Sequence, residues 1–283
     1  MIKQATHYFN TSGPNIPDEH FTLTREKLIR KGIDLVKRKR YFTIWAPRQT
    51  GKSTYFLLLA KELEKIGYQP IHMNLENFKS ATEQILLEFL VHEFKRVLDI
   101  HIPFPTSASP TFPWFYDQVL EIKDKQKIVF IIDEIDGLNE DIFGQFLHTI
   151  RNLYHSRDRH GLKSIILVGV TNIVGVVQDN ASPFNIADNL EVPYFTDEET
   201  FELLHMHEVE TGQLFHPEVK EKICDITANQ PGLVNGFAYK LVERNPNKEL
   251  IDYNDYLAVE DWYLTEAIDK NIANIINKAR QHR

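Results

Sequence analysis

The sequence predicts an α/β protein in which a doubly wound parallel sheet is followed by a small helical domain. Three observations support this fold class: continuously apolar segments of strand length at 127–133 and 164–170, strands that alternate with helices up to about residue 194, and a helical pattern from Thr196 onward. Strands that are apolar throughout are typical of parallel sheets covered by helices on both faces. Alternation of strands with helices favours the doubly wound arrangement.

Hydrophobic periodicity and turn residues divide the chain into successive elements. Residues 1–20 are predicted to form a loop, because Gly13-Pro14 and Ile16-Pro17 would interrupt a helix or a strand. A second, proline-rich loop is predicted at 101–113. The predicted helices cover 24–39, with Thr24 as N-cap, 53–66, 80–100, 114–122 and 141–154, and the predicted strands cover 41–45, 69–75, 127–133 and 164–170.

The composition is that of a soluble globular chain with an acidic charge balance. The 283 residues are 42% hydrophobic and carry a formal net charge of −8. No apolar run is long enough to span a membrane and no signal peptide is recognisable, so a cytoplasmic location is expected. The single cysteine, Cys224, cannot form an internal disulfide, which fits a reducing compartment. The acidic balance does not favour a dedicated DNA-binding protein, although a local basic patch stays open.

The segment between the strand at 41–45 and the helix at 53–66 has the pattern of a phosphate-binding loop. The motif is G-x-x-x-x-G-K-[ST], and here Ala46 replaces the first glycine. The N–H groups of such a loop bind phosphate oxygens, the lysine faces the β- and γ-phosphates, and the next hydroxyl ligates Mg²⁺. The alternative is an ordinary strand-to-helix turn. The expected nucleotide-contacting residues are Ala46, Pro47, Arg48, Gln49, Thr50, Gly51, Lys52, Ser53 and Thr54, with Lys52 also catalytic and Ser53 also a metal ligand.

Acidic residues end the apolar strand at 127–133. Asp133 is expected to hold Mg²⁺, directly or through water, and Glu134 to orient and deprotonate an attacking water. The alternative is a strand that ends in a solvated acidic turn. Asp136 is predicted to be a solvated or structural acid. These roles complement those of the phosphate loop, and together the two motifs predict binding and hydrolysis of Mg-ATP.

A third polar group follows the strand at 164–170. Asn172 is predicted to hydrogen-bond the attacking water or the γ-phosphate, with Thr171 as a substitute. The alternative is a polar residue that simply ends a strand. We place Asn172 with Lys52 and Glu134 among the expected catalytic residues.

Five stretches of the chain together resemble one family. They are 9–17 (FNTSGPNIP), 39–54 (KRYFTIWAPRQTGKST), 128–136 (IVFIIDEID), 182–186 (SPFNI) and 229–239 (NQPGLVNGFAY). On these stretches the chain resembles the bacterial AAA-like ATPases that border on the STAND and origin-recognition-type NTPases. The resemblance implies a P-loop NTPase fold of the AAA+-like ASCE type, with a parallel sheet and a helical lid.

The resemblance also implies roles for individual residues. Lys52 and Ser53 take the Walker A part, Asp133 and Glu134 the Walker B part, and Asn172 the part of sensor 1. Arg25 resembles the arginine of a hydrophobic-Gly-Arg-Glu signature, with Thr24 in place of the glycine. Pro231 resembles the proline of a Gly-x-Pro lid motif near the base, with Asn229 in place of the glycine. No arginine follows Pro231 as a sensor 2, which favours a slow switch over fast turnover.

Four segments are expected from these assignments. They are an N-terminal loop at 1–23 that packs on the nucleotide site, an ATPase core at 24–194, a helical lid at 195–250 and a C-terminal helical extension at 251–283.

Three functions stay open from the sequence. The first is a switch ATPase whose nucleotide state is conveyed to a partner protein or effector. It would act alone or as a homo-oligomer, and defence or stress signalling is the candidate process. The second is an ATP-dependent DNA-binding or loading factor of the origin-recognition type, supported only by the basic run at 37–40. The third is a nucleotide-binding scaffold that does not hydrolyse ATP. ATP and Mg²⁺ are the expected cofactors, and no membrane partner is expected.

Overall fold

Residues 2–98, 109–169 and 187–265 are described by the structure, which is a computed structural model. By contacts the chain forms two compact units, one of Thr24–Pro193 and one that combines Met1–Leu23 with Tyr194–Arg283. No helix within the described ranges is both long and apolar enough to cross a membrane. The functional roles expected for the segments 1–23, 195–250 and 251–283 stay predictions.

The first unit is built on a five-stranded sheet of order β2-β3-β4-β1-β5, in which all neighbouring pairs are parallel. The fold class predicted from the sequence is therefore confirmed. The strands are β1 (Phe42–Trp45), β2 (Gln69–Asn74), β3 (Ile128–Asp133), β4 (Leu162–Gly169) and β5 (Asp188–Asn189). The helices are α1 (Glu26–Lys37), α2 (Lys52–Lys65), α3 (Glu83–Leu98), α4 (Phe112–Leu120) and α5 (Glu140–His155), with short 3₁₀ helices at Asp124–Gln126 and Ile135–Gly137.

Every residue of β3 and β4 is buried, because each face of the sheet is covered by helices. Val129 and Ile131 pack into a core with residues of α1 and α2. Phe130 and Ile132 point to the opposite face and pack with residues of α3, α4 and α5. The strand therefore needs apolar side chains at consecutive positions, which explains the continuous apolar run in the sequence.

The sheet order places β4 between β1 and β3. Trp45 at the end of β1 pairs with Gly169 at the end of β4. Asn74 at the end of β2 pairs with Asp133 at the end of β3. The carboxyl ends of these strands therefore lie along one edge of the sheet, which is where open α/β sheets bind ligands.

The second unit is mainly helical and includes the N-terminal residues. Its elements are α6 (Asp197–Thr211), β6 (Leu214–Phe215), α7 (Pro217–Thr227), α8 (Pro231–Arg244), β7 (Leu250–Ile251) and α9 (Tyr253–Thr265). Phe9 and Phe21 are buried in the same core as Leu203, Phe237 and Val259. The purely helical pattern expected after Thr196 is wrong in one respect, since β6 and β7 form a parallel pair. Two-residue strands are too short to show an alternating pattern.

Two helix starts differ from the sequence prediction for identifiable reasons. Helix α1 begins at Glu26, because Arg25 has left-handed backbone angles (φ 49°, ψ 51°) and makes no side-chain cap. Thr24 is therefore not the N-cap. Helix α4 begins at Phe112, two residues earlier than predicted, because the Thr111 side chain accepts a hydrogen bond from the Trp114 N–H. Pro113 is tolerated there, since the first turn of a helix needs no N–H donor.

The turn after β3 packs tightly against the end of β2. A methyl group built on Gly137 would lie 2.2 Å from the Leu75 carbonyl oxygen and 3.1 Å from Glu76 Cα. A methyl group on Gly169 would meet Asp136 Oδ2 at 3.0 Å. The short helix Ile135–Gly137 is therefore wedged against the ends of β2 and β4, and this contact fixes where the acidic end of β3 lies.

A carboxylate on α6 holds the N-terminal segment. Glu210 accepts hydrogen bonds from the backbone N–H groups of Thr6 and His7, from the Thr6 hydroxyl, and from His7 Nδ1 at 2.7 Å. Burial alone would raise the pKa of Glu210, but these bonds outweigh it and lower the pKa to about 2. The segment is thus attached to the helical unit through a charged group.

Replacement of Gly137 by alanine is expected to destabilise the first unit by about 1–3 kcal/mol, because the added methyl group meets backbone atoms that cannot rotate away. Urea unfolding would measure the loss. Gly144→Ala is the matched control, since nothing lies within 4 Å of a methyl group there. This variant is expected to gain up to about 1 kcal/mol, because alanine favours a helix interior. Equal stabilities of the two variants would contradict the tight contact.

Glu210→Gln is expected to speed amide hydrogen exchange at Thr6 and His7 at neutral pH, because it removes the charged acceptor. The folded-state pKa of Glu210 lies below its ordinary value of 4.5. Its stabilisation is therefore complete above about pH 4.5 and is lost as the pH falls toward 2, and the variant should lack this dependence. Glu202→Gln, an exposed position on the same helix, is the control. Unchanged exchange at Thr6 and His7 would refute the attachment.

Candidate functional site

The loop between β1 and α2 has the backbone geometry of a tight, glycine-dependent turn. Gln49 and Gly51 have positive φ values of 62° and 84°. The Thr50 hydroxyl donates a hydrogen bond to the Pro47 carbonyl at 3.1 Å, and Thr50 is buried. Ala46 is buried and has no positive φ, so its position does not require the glycine of the sequence motif. The departure from the motif is therefore compatible with the loop.

Backbone donors in this loop are left without acceptors. Within the described ranges, none of the N–H groups of residues 48–53 donates a hydrogen bond to another residue. The first N–H groups of a helix have no partner inside the helix, and α2 begins at Lys52. Consecutive unpaired N–H groups in a turn form a concave surface that attracts anions. The loop can therefore bind a phosphate group through its backbone.

Lys52 adds a buried positive charge to this surface. It is only 5% exposed, and no carboxylate among the described residues lies within salt-bridge distance of it. A buried cation without an anionic partner is costly. Such a lysine is suited to binding an anion from outside the chain.

The two carboxylates that end β3 have different surroundings. Asp133 is 6% exposed, and its Oδ1 accepts a hydrogen bond from the Glu134 N–H at 2.9 Å. Glu134 is half-buried and has left-handed backbone angles (φ 52°, ψ 44°). Burial raises the pKa of Glu134 and the charges of Asp133 and Asp136 raise it further, while Lys52 and Arg48 lower it. The net effect is a raised pKa, which is the direction expected of a proton acceptor that works near neutral pH.

Lys52 and Arg48 lie near enough to lower the pKa of Glu134, so the loop after β1 and the end of β3 are neighbours in the first unit. Asp136 is exposed and lies beside the end of β4. Asn172 and Thr171 lie outside the described residues. Their predicted role as a sensor therefore stays a prediction.

Arg25 belongs to the same unit as the loop. Its Nη1 donates a hydrogen bond to the Pro193 carbonyl at 2.9 Å, so the start of α1 is tied to the end of the first unit. Arg25 has a left-handed backbone, whereas Thr24, which replaces the glycine of the signature that the chain resembles, has no positive φ. A role of Arg25 in nucleotide binding stays a prediction.

Pro231 lies in the second unit as the first residue of α8. Gln230 caps this helix by accepting a hydrogen bond from the Leu233 N–H at 2.9 Å. Asn229 has a φ of 57°, and its side chain bonds Thr200 and Asp197 at 2.6 Å each. Asparagine tolerates left-handed backbone better than other non-glycine residues, which explains why it can replace the glycine of the lid motif. Contact of Pro231 with a nucleotide stays a prediction.

Left-handed backbone recurs at the predicted nucleotide motifs. Arg25, Gln49, Glu134 and Asn229 all have positive φ values. Such angles cost a non-glycine residue about 1–3 kcal/mol and cluster at functional sites. Lys39, Lys127 and Ala228 also have positive φ values, so this backbone is present at the predicted motifs but is not restricted to them.

His72 is not recognisable from the sequence alone as a residue near this site. This residue lies on β2, and its Nε2 is 3.9 Å from Asp133 Oδ2. The only signal in the sequence is a histidine within a strand, two residues before the strand ends. That signal becomes informative only once β2 is known to pair with β3.

Comparison with known proteins identifies the family. The family model of the AAA-like domain matches residues 13–257. No curated protein matches the sequence significantly.

Solved structures with the same fold are similar to this chain. A Walker-type ATPase of Pyrococcus abyssi has a TM-score of 0.65 and 18% identity, over 97% of this chain and 79% of that one. Cdc6p of Pyrobaculum aerophilum has a TM-score of 0.61 and 15% identity, over 92% and 72%. The Orc1 protein of Aeropyrum pernix, solved with DNA, has a TM-score of 0.53 and 15% identity, over 84% and 64%.

At these identities the solved structures establish the fold, which is that of P-loop ATPases. The family model covers most of the chain, and it includes the loop after β1, the acidic end of β3 and the start of α8. The chain therefore belongs to the AAA-like domain family, and its fold is similar to that of the Orc1 and Cdc6p structures.

Proposed function

We propose that the chain binds Mg-ATP at the loop between β1 and α2 and hydrolyses it slowly. The observation that carries this proposal is the buried Lys52, which has no anionic partner within the described ranges and stands at the start of a helix beside unpaired N–H groups. A triphosphate supplies the anion that this arrangement lacks. The membership in the AAA-like family supports ATP as the nucleotide.

The residues present fit the Mg²⁺ that the family implies. Ser53 lies in the first turn of α2, and Asp133 Oδ2 accepts no hydrogen bond from a described residue. A hydroxyl and a carboxylate oxygen are ligands that suit a hard cation. When bound, the ion would neutralise charge that develops on the phosphate oxygens. Ser53 and Asp133 would hold it.

Glu134 is the residue that we assign to water activation. Its carboxylate is half-buried, and its pKa is raised by burial and by the neighbouring Asp133 and Asp136. A raised pKa increases the affinity of the carboxylate for the proton that it takes from water. Lys52 would counter the negative charge on the phosphates, and Asn172 would position the water.

The output of hydrolysis would be a change in the helical unit. The absence of an arginine after Pro231 in the lid motif supports slow turnover, as expected of a switch. We propose that the nucleotide state is conveyed to a protein partner or effector, by a monomer or a homo-oligomer, in defence or stress signalling. An order–disorder or hinge transition at the lid would convey it.

The basic run at 37–40 gives little support to DNA loading. Lys39 Nζ lies 2.6 Å from Asp158 Oδ1, and Arg40 Nε lies 2.5 Å from Asp188 Oδ2. Arg40 also donates to the Tyr154 hydroxyl at 2.7 Å. Cations engaged in this way contribute less to a phosphate-binding surface. Lys37 and Arg38 are exposed and remain the support for this alternative, since the DNA-bound structure supports only the fold.

The third alternative is a scaffold that binds nucleotide without hydrolysing it. It uses the same phosphate loop as the first proposal, but in it Glu134 does not activate a water molecule. The half-buried position and raised pKa of that carboxylate favour hydrolysis.

Lys52→Ala is expected to weaken ATP binding by roughly 100-fold, because it removes a buried charge from the phosphate site. Isothermal titration calorimetry with ATP would measure the loss. Lys61→Ala, an exposed lysine on the same helix, should bind ATP like the unaltered protein. Undiminished affinity of Lys52→Ala would refute the nucleotide site.

Glu134→Gln is expected to leave ATP affinity intact and to lower the rate of hydrolysis by about 10²–10⁴-fold, because the amide cannot accept the proton. Phosphate release and nucleotide retention would be measured together. Glu140→Gln, an exposed glutamate at the start of α5, is the control. A turnover rate equal to that of the unaltered protein would rule out Glu134 as the base. If the unaltered protein binds ATP but releases no phosphate, the scaffold alternative is correct.

A further inference from the structure

His72 and Asp133 face each other across neighbouring strands, and each has an unpaired polar atom. His72 Nε2 is buried and has no hydrogen-bond partner within the part of the chain that the structure describes. Asp133 Oδ2 lies 3.9 Å from it and also accepts no hydrogen bond from a described residue. The other oxygen, Oδ1, is already engaged by the Glu134 N–H.

The two atoms are complementary in chemistry. A neutral histidine with its proton on Nε2 is a donor, and a carboxylate oxygen is an acceptor. An N–H···O bond has a length of about 2.7–3.2 Å, so the gap is roughly 1 Å too long for a bond. Both groups would be costly if they stayed unpaired in a buried position. A small rotation of either side chain would join them.

The position of the histidine is set by the strand register. Asn74 pairs with Asp133, and His72 pairs with Ile131. His72 therefore lies two residues further from the edge of the sheet than Asp133, on the neighbouring strand. From this position it approaches the carboxylate from the side of β2, away from the loop after β1.

The histidine ring also contacts the helix that follows the phosphate loop. The rings of His72 and Phe56 have centroids 4.8 Å apart and planes inclined by 38°. Phe56 lies three residues after Ser53 on α2. The His72 side chain thus packs against the helix that carries Ser53, and its Nε2 also lies 3.9 Å from the carboxylate of Asp133.

We infer that His72 is a positioning residue, whose Nε2–H donates to Asp133 Oδ2 and orients this carboxylate toward the magnesium ion of bound Mg-ATP. The inference rests on the proposed function and extends it. Carboxylates that ligate metals are held by hydrogen bonds from further residues, and loss of such a bond weakens metal binding about 10–100-fold. With the bond in place, Asp133 is held by the Glu134 N–H at Oδ1 and by His72 at one lone pair of Oδ2, and the second lone pair of Oδ2 stays available to the metal.

A role in packing alone would have different consequences. His72→Phe keeps an aromatic ring against Phe56 and removes the donor, whereas His72→Gln removes the ring and keeps an N–H donor. If His72 positions Asp133, only the phenylalanine variant loses the metal effect. If His72 serves only to pack, the glutamine variant is the more damaged of the two.

The experiment measures the affinity of the full chain for a fluorescent ATP analogue, once with EDTA and once with saturating Mg²⁺. Binding of Mn²⁺ to the nucleotide complex, followed by electron paramagnetic resonance, is the second measurement. His148→Phe is the matched control, since His148 is exposed on α5. None of these measurements depends on turnover.

The expected result is that His72→Phe loses about 10-fold or more of the gain in affinity that Mg²⁺ confers, with a parallel loss of Mn²⁺ affinity. Its affinity in EDTA should equal that of the unaltered protein, and His72→Gln should recover most of the gain. A full metal effect in His72→Phe would overturn the inference. So would a loss of affinity in EDTA that is larger for His72→Gln than for His72→Phe, which would indicate a packing role. If the unaltered chain binds no ATP at all, the proposed function itself fails, which these variants distinguish from a failure of His72 alone.

Discussion

The candidate site is centred on a buried lysine, Lys52, which forms no salt bridge with any residue that the structure describes. Lys52 stands at the first position of α2, where the helix N-terminus is itself electropositive. Neighbouring N–H groups of the loop have no acceptors in the described residues. An anion bound there would be stabilised both by the lysine charge and by the helix N-terminus. The carboxylates at the end of β3 act on this charge from the other side of β4.

Much of the fold follows from local sequence patterns. The continuously apolar run of β3 and the strand, loop and helix at 42–65 are strongly periodic, and the structure has these elements within a residue or two of the predicted bounds. The start of α4 was missed because a side-chain cap at Thr111 outweighs the weak helical preference of the residues after it. The strands β6 and β7 are two residues long and exist only through their pairing with each other. Neither segment by itself has a sequence pattern that predicts this pairing.

Some residues of the candidate site could likewise be predicted from local sequence, and others could not. Gly51, Lys52 and Ser53 could be predicted because they are adjacent in the sequence and belong to one motif. The relation of His72 to Asp133 depends on which strands are neighbours, and the order β2-β3-β4-β1-β5 is decided by packing across the whole sheet. The left-handed backbone of Arg25 and Glu134 was likewise unpredictable, since both residues disfavour it. Tertiary contacts impose these angles against local preference.

The helical unit is discontinuous in sequence. Phe9 and Phe21 share a core with side chains such as Leu203 and Val259, which come more than 180 residues later in the chain. During synthesis the N-terminal residues therefore leave the ribosome long before their packing partners exist. The intervening segment 24–193 has its own contacts and can fold in the meantime. Closing such a long chain segment costs entropy and slows folding. Phe9 and Phe21 therefore reach their buried positions only after the later helices of this core have been synthesised.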